Sequence, residues 1–326
     1  MPYAPNHHNS LAREFLLWAK NMRKCEGDKF VKTVVLLIGH GSRDEEGNEE
    51  FLRFVDELQC SDPEQTFVAC FLEFANPDIA AGIDACVERG ATRVLAVPII
   101  LLAASHVKLE IPDELDEARH RYPQLEIVYG RNIGLHERLL DLLVERFHEL
   151  TIQNNRPATG SPHPDSEGVH DMAIVLMGRG SSDPDANGDV YKIARILWER
   201  TGVSTVETCF TGITDPRLPT GVERAVRLGA RRVIVIPYFL FTGVLIKRMT
   251  NLILELRQRY PQITLQMAEY FGLHDILREV VLDRVREAER KEAAMNCDFC
   301  KYRREVNLAH SHEQDAVHLS RGEVQA

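Results

Sequence analysis

Val34-Val35-Leu36-Leu37-Ile38-Gly39-His40-Gly41-Ser42-Arg43-Asp44 returns 139 residues later as Ala173-Ile174-Val175-Leu176-Met177-Gly178-Arg179-Gly180-Ser181-Ser182-Asp183. In both copies apolar residues run without alternation into a glycine. That is the pattern of a strand buried on both faces of a parallel sheet. The same offset pairs Asn48 with Asn187, Cys70 with Cys209, Pro77 with Pro216, Gly90 with Gly229, Pro98 with Pro237 and Lys108 with Lys247. After a slip to 138, Tyr122-Pro123 meets Tyr260-Pro261 and Gly134-Leu135-His136 meets Gly272-Leu273-His274. A period this long marks a duplicated domain, not a solenoid.

Outward from the first copy, strands and helices alternate. Phe51, Phe54, Val55 and Leu58 recur at helical spacing, and Phe67–Leu72 reads as a second strand. Ile79, Ile83 and Val87 mark a helix ending near Gly90, and Val94–Val97 a third strand closed by Pro98. Asp113–Tyr122 reads as a helix, Glu126–Tyr129 as a fourth strand and His136–Leu150 as a closing helix. The expected class is therefore α/β: two tandem Rossmann-like domains, each a parallel sheet flanked by helices, with a cleft between them. The boundaries expected are an N-terminal extension over 1–30, a first domain over 31–150, a linker over 151–171, a second domain over 172–293 and a tail over 294–326.

Composition bounds the function. The chain has 326 residues, which is about two domains' worth. With 39 Lys+Arg against 49 Asp+Glu its net charge is −10, which argues against a nucleic-acid partner. No run reaches the roughly 18 apolar residues of a membrane span, so no membrane partner is expected. Seven cysteines, an odd number, suit a reducing compartment better than a disulfide framework, and the expected location is the cytoplasm.

Three candidate ligands fall just past strand ends of the first copy: His40 after strand one, Glu73 after strand two and His106 after strand three. Ligands of open parallel sheets bind at these carboxyl ends, so residues 33 positions apart can converge. Two imidazoles and a carboxylate suit a divalent first-row metal. The second copy has Arg179, Gly212 and Leu245 at the aligned positions, while its Gly, Ser, Asp, Asn and Pro framework persists. Residues needed for folding should remain in both copies, whereas residues of one shared site can be lost from one. His136 and His274 persist in both and read as structural. Gly39-His40-Gly41-Ser42 has the look of an anion-holding loop, with amides placed to orient a substrate carboxylate, although Gly41 could simply permit a tight turn.

Ile38-Gly39-His40-Gly41-Ser42-Arg43, Phe71-Leu72-Glu73, and Ser105-His106-Val107-Lys108 with Ile111-Pro112 behind it resemble the class II tetrapyrrole chelatases, in particular the long CbiX-type sirohydrochlorin chelatases. The resemblance spans about residues 33–290. It implies a lyase that inserts Co(II) or Fe(II) into sirohydrochlorin without ATP, in cobalamin or sirohaem synthesis. On that reading the catalytic domain is 31–150, and 172–293 is a chelatase-like domain without the ligands. His40 would accept a pyrrole proton and bind the metal, His106 would supply the second imidazole, and Glu73 would assist metal or macrocycle. Leu101, Leu102, Ala103, Ala104, Ser105 and His106 would wall the tetrapyrrole. Arg43, Lys108 and Arg179, with Lys247, would meet its carboxylates.

Cys297 and Cys300 form a Cys-x-x-Cys in the tail. The spacing fits half an iron–sulfur or zinc site, completed by a second chain in a homodimer or by another thiol such as Cys25, and it also fits an unliganded pair. His310, His312 and His318 follow without a clear pattern. Two readings compete with the enzyme. One is a metal or tetrapyrrole carrier without turnover; the other is an anion-binding module in which Glu73 and His106 are dispensable.

Overall fold

The structure, a computed structural model, describes residues 32–154 and 170–292. The extension 1–30, most of the linker, Cys25, Cys297, Cys300 and the tail histidines lie outside them.

The first half runs β1 (Thr33–Gly39), α1 (Glu45–Ser61), β2 (Phe67–Phe71), α2 (Ile79–Glu88), β3 (Arg93–Ile99), a π-helical turn (His106–Glu110) leading into α3 (Ile111–Arg121), β4 (Glu126–Tyr129) and α4 (Glu137–Asn154). The second runs β5 (Met172–Gly178), α5 (Pro184–Thr201), β6 (Thr205–Phe210), α6 (Leu218–Arg227), β7 (Arg232–Pro237), α7 (Val244–Arg259), β8 (Thr264–Met267) and α8 (Asp275–Glu289). Each half carries one four-stranded parallel sheet, ordered β2-β1-β3-β4 and β6-β5-β7-β8. The strand order reverses beside β1 and β5, so the crevice where such sheets bind ligands opens at the carboxyl ends of these strands.

Two element boundaries differ from the sequence reading. Pro98 does not close β3 but lies within it, opposite Ile38. Ala96 accepts from Gly130 N–H, so alternate residues of β3 face β4. β4 has its last pair at Tyr129 and Ala96, and therefore nothing there requires the N–H that Pro98 lacks. The helix expected from Asp113 begins earlier, because the turn His106–Glu110 runs straight into Ile111.

The two halves divide in sequence but not in packing. Val34, Leu36, Ile38, Val94 and Ala96 bury against α2 and α3 in a core of the first half alone, and a matching core lies in the second. The other faces of both sheets share one central core, in which Val35, Leu37, Leu95 and Val97 join Ile174, Leu176, Ile234 and Ile236. The closing helices are exchanged. α8 of the second half packs on β3 and β4 of the first, and α4 of the first packs on β7. Arg284 of α8 is buried and donates to the Ile133 carbonyl at 2.6 Å, and a side chain on Gly130 would press on Ala288. Each half thus completes the hydrophobic core of the other.

Polar contacts repeat across the same interface. Lys108 pairs with Asp183 and Asp185 at 2.6 and 3.2 Å, and its counterpart Lys247 pairs with Asp44 and Glu46 at 2.8 and 2.9 Å. His136 caps α4 by accepting from Arg138 N–H and meets Asp283 of α8, while His274 caps α8 through Ile276 N–H and meets Glu145 of α4. This reciprocity defines a pseudo-twofold axis inside a single chain.

Candidate metal centre

The loop after β1 folds on its own side chains. Ser42 N–H donates to Asn48 Oδ1, Asn48 Nδ2 returns a bond to Ser42 O, and Asp44 N–H donates to Ser42 Oγ. Ser181, Asn187 and Asp183 repeat the arrangement in the second half. The amides of Ser42 and Asp44 are therefore engaged within the loop, so the Ser42 amide is not free to orient a substrate carboxylate. The Gly, Ser, Asp and Asn framework persists in both copies because it builds the loop.

Gly41 has a different task. Its φ is +86°, and an added Cβ would fall 1.7 Å from the Glu73 carbonyl. No other residue allows that approach. It lets Glu73 N–H donate to His40 O at 3.0 Å, placing the carboxylate beside the imidazole. The loop after β3 is held by Asn132, buried, whose Nδ2 donates to the carbonyls of Ile100 and Leu101. Ala104 O then accepts from Val107 and Lys108 N–H and starts the turn that carries His106.

His40, Glu73 and His106 come together as expected: one ligand atom from each lies within 4.8 Å of the others. The imidazoles meet edge to face with ring centres 4.9 Å apart. All three are partly exposed, with 22% of the His40 side chain accessible, so the group can be reached from outside. The backbone and side-chain partners assign the tautomers. His40 Nδ1–H donates to Gly41 O at 2.9 Å, and His106 Nδ1–H donates to Glu110 Oε2 at the same distance. In both rings the lone pair is thereby placed on Nε2, the atom a metal would take, with the rings oriented from behind in the manner of histidine ligands.

Arg179, the counterpart of His40, reaches across the pseudo-twofold axis and donates from Nη1 to His40 Nε2 at 2.6 Å. Burial, followed by the Arg179 charge, lowers the His40 pKa from 6.5 to about 4. The 3.4 Å approach of Glu73 Oε1 to His40 is accordingly no ion pair near neutral pH. A ring this weakly basic is a ready ligand but a poor resting base.

The wall residues differ in what they face. Leu101 and Leu102 pack against the central core, and Ala103, Ala104 and Ser105 are half-buried on the approach to His106. Arg43 is exposed and stacks on the Phe74 ring, 4.6 Å from its centre. Lys108 departs from expectation: only 12% of its side chain is accessible and it is held by Asp183 and Asp185. Burial would lower its pKa, yet hydrogen bonds to those carboxylates raise it. Lys247 is likewise committed to Asp44 and Glu46. These lysines tie the halves together and are not free for a carboxylate ligand. Sequence reasoning missed Glu110, whose signal was its place four residues after His106 on one helical face, and Phe74, which follows Glu73 directly.

The chain has relatives among known proteins. The CbiX family model matches residues 34–150 and 173–288. A sirohydrochlorin cobaltochelatase of Priestia megaterium is 44% identical over 278 residues, covering 85% of this chain and 86% of its own. A sirohydrochlorin ferrochelatase of the same organism is 36% identical over 252 residues, covering 77% and 89%. Among solved structures, SirB from Bacillus subtilis with Fe3+ superposes with a TM-score of 0.68 at 32% identity, over 82% of this chain and all of that one.

Proposed function

The chain belongs to the CbiX family, and from that premise we propose that it is a sirohydrochlorin chelatase, a lyase that inserts Co(II) or Fe(II) into the macrocycle. The observation that carries the reading is the convergence of His40, Glu73 and His106 on one accessible point. The metal ion and the free tetrapyrrole are the substrates. The metal enters the ring, two pyrrole N–H bonds break, and two protons leave.

His40 Nε2, His106 Nε2 and a Glu73 oxygen hold the incoming ion, a mixed nitrogen and oxygen set suited to either metal. Gly41 O and Glu110 keep both imidazoles aimed, so little reorganisation is needed as the ion passes to the ring. Arg179 must leave His40 before an ion can bind there, and a carboxylate of the substrate is a partner that can draw it away. Departure of that charge raises the basicity of His40, whose Nε2 can take up one pyrrole proton once the ion has passed to the ring, while the other proton leaves to solvent. Arg43 remains available for a second carboxylate, and Leu101, Leu102, Ala103, Ala104 and Ser105 form the wall beside His106. Lys108 is omitted from the substrate contacts because Asp183 and Asp185 already hold it.

The carrier alternative differs only in turnover, and an anaerobic absorbance assay separates them. With sirohydrochlorin and Co(II) or Fe(II) supplied separately, the protein should catalyse many turnovers, and His40→Ala should abolish insertion with the fold intact. Stoichiometric binding without turnover would replace the enzyme with a carrier, and normal turnover by His40→Ala would remove the site assignment.

Among the described residues no helix is long and apolar enough to cross a membrane, and Cys60, Cys70, Cys86 and Cys209 are free thiols. The proposed location is the cytoplasm. An iron–sulfur half-site at Cys297 and Cys300, shared in a homodimer, rests on the sequence spacing alone. Acid-labile sulfide in anaerobically purified protein would support it, and its absence would leave a plain thiol pair.

A further inference from the structure

We propose that Phe74 and Ile213, one on each side of the pseudo-twofold axis, are substrate-binding residues that grip the apolar faces of the macrocycle at the mouth of the site. The proposal rests on the chelatase reading above.

The two residues are counterparts, 139 positions apart, and share an unusual state. Phe74 is 50% exposed and Ile213 is 64% exposed, although both are large and apolar. Both also hold a left-handed backbone, with φ of +64° and +65°. That conformation is strained for a residue other than glycine, and a β-branched isoleucine is among the least suited to it. Glycine or asparagine would avoid the strain, and neither side chain repays it by burial. Folding therefore does not account for them.

Their position does. Glu73 N–H donates to His40 O, and Gly212 N–H donates to Arg179 O at 3.1 Å. Phe74 and Ile213 each stand one residue further along these equivalent loops. His40 and Arg179 meet on the axis, so the loops that carry Phe74 and Ile213 come to the metal group from opposite halves. The Phe74 ring centre is 6.4 Å from that of His40. Between the copies the preceding residue changed from Glu73 to Gly212, losing the ligand, while an exposed apolar side chain stayed at the strained position in both. A requirement for apolar contact is thus common to the halves even where metal chemistry is not. The substrate is flat and conjugated, with apolar faces and a carboxylate rim. Arg43 stacked on Phe74 presents an apolar face and a cation side by side, matching both features.

Ile213→Asn tests this without endangering the fold, because asparagine tolerates the left-handed conformation better than isoleucine. The variant should unfold at the same or a higher temperature and bind Co(II) alone as the wild type does. Its KM for sirohydrochlorin should rise about tenfold or more, with Phe74→Ala behaving alike. Ile213→Val, which keeps a branched apolar group, should recover most of that loss. An unchanged KM in Ile213→Asn would overturn the proposal. A wild-type protein that binds sirohydrochlorin without turnover would defeat the chelatase reading, and equal sirohydrochlorin affinity in wild type and Ile213→Asn would then defeat this one separately.

Discussion

His40 shows how burial and one neighbouring charge together set the chemistry of a residue. Its folded pKa of about 4 lies below the 6.5 of the unfolded chain, so between these values the unfolded state binds the extra proton. Stability contributed by the neutral ring is present above pH 6.5 and lost as pH falls toward 4, at most about 3 kcal/mol. Urea unfolding of wild type and His40→Ala from pH 7 to 4 checks the sign: the wild type should lose stability relative to the variant on acidification. Parallel curves would contradict it. In ring NMR titrations Arg179→Ala should move the His40 midpoint upward, since its guanidinium is a cause of the depression. The same variant should bind Co(II) more tightly when no tetrapyrrole is present, because the position beside Nε2 is vacated. Residue identity alone discloses none of this, since Arg179 is 139 positions from the ring it touches.

At the scale of elements, the ligands were legible and their supports were not. A continuous apolar strand ending in glycine places His40 at a carboxyl end, and the rule for open sheets does the rest. Glu110 was invisible because the helix carrying it starts seven residues earlier than its periodicity suggests, at His106 instead of Asp113. The π-helical turn brings Glu110 under the His106 ring, and such turns recur at functional sites. Glu110→Ala should weaken Co(II) binding by about tenfold or more, with the secondary structure unchanged. Isothermal titration would show it, and undiminished affinity would mean the His106 ring is oriented by its packing instead. From the sequence, Gly41 belongs to an anion-holding loop or simply permits a tight turn. Its stricter role, allowing the Glu73 carbonyl to pass, needs the second loop to be seen against the first.

The whole molecule is a fused, pseudo-symmetric pair whose halves lend each other a helix. Residues 31–150 alone would leave Leu139, Leu142, Leu143 and Phe147 of α4 without the second sheet, and the inner face of the first sheet without α8. That half expressed alone should aggregate or dimerise, and coexpression with 172–293 should yield a one-to-one complex. Sedimentation analysis distinguishes these outcomes, and a folded monomer of the isolated half would refute the interdependence. Where one half ends in sequence does not say where its packing ends, for a simple reason. Apolar periodicity says that a helix has a face to bury, but not which of two near-identical sheets receives it.

The amino-acid sequence by itself determined the duplicated α/β architecture, the parallel strands and the choice of three candidate ligands. Those depend on local periodicity and on a rule tying strand ends to sites. Only the tertiary structure decided the exchange of closing helices, the pairing of Lys108 and Lys247 across the interface, the burial and Arg179 contact that lower the His40 pKa, and the exposure of Phe74 and Ile213. Each depends on distances between residues far apart in the chain, and those are settled when two similar halves pack around one axis.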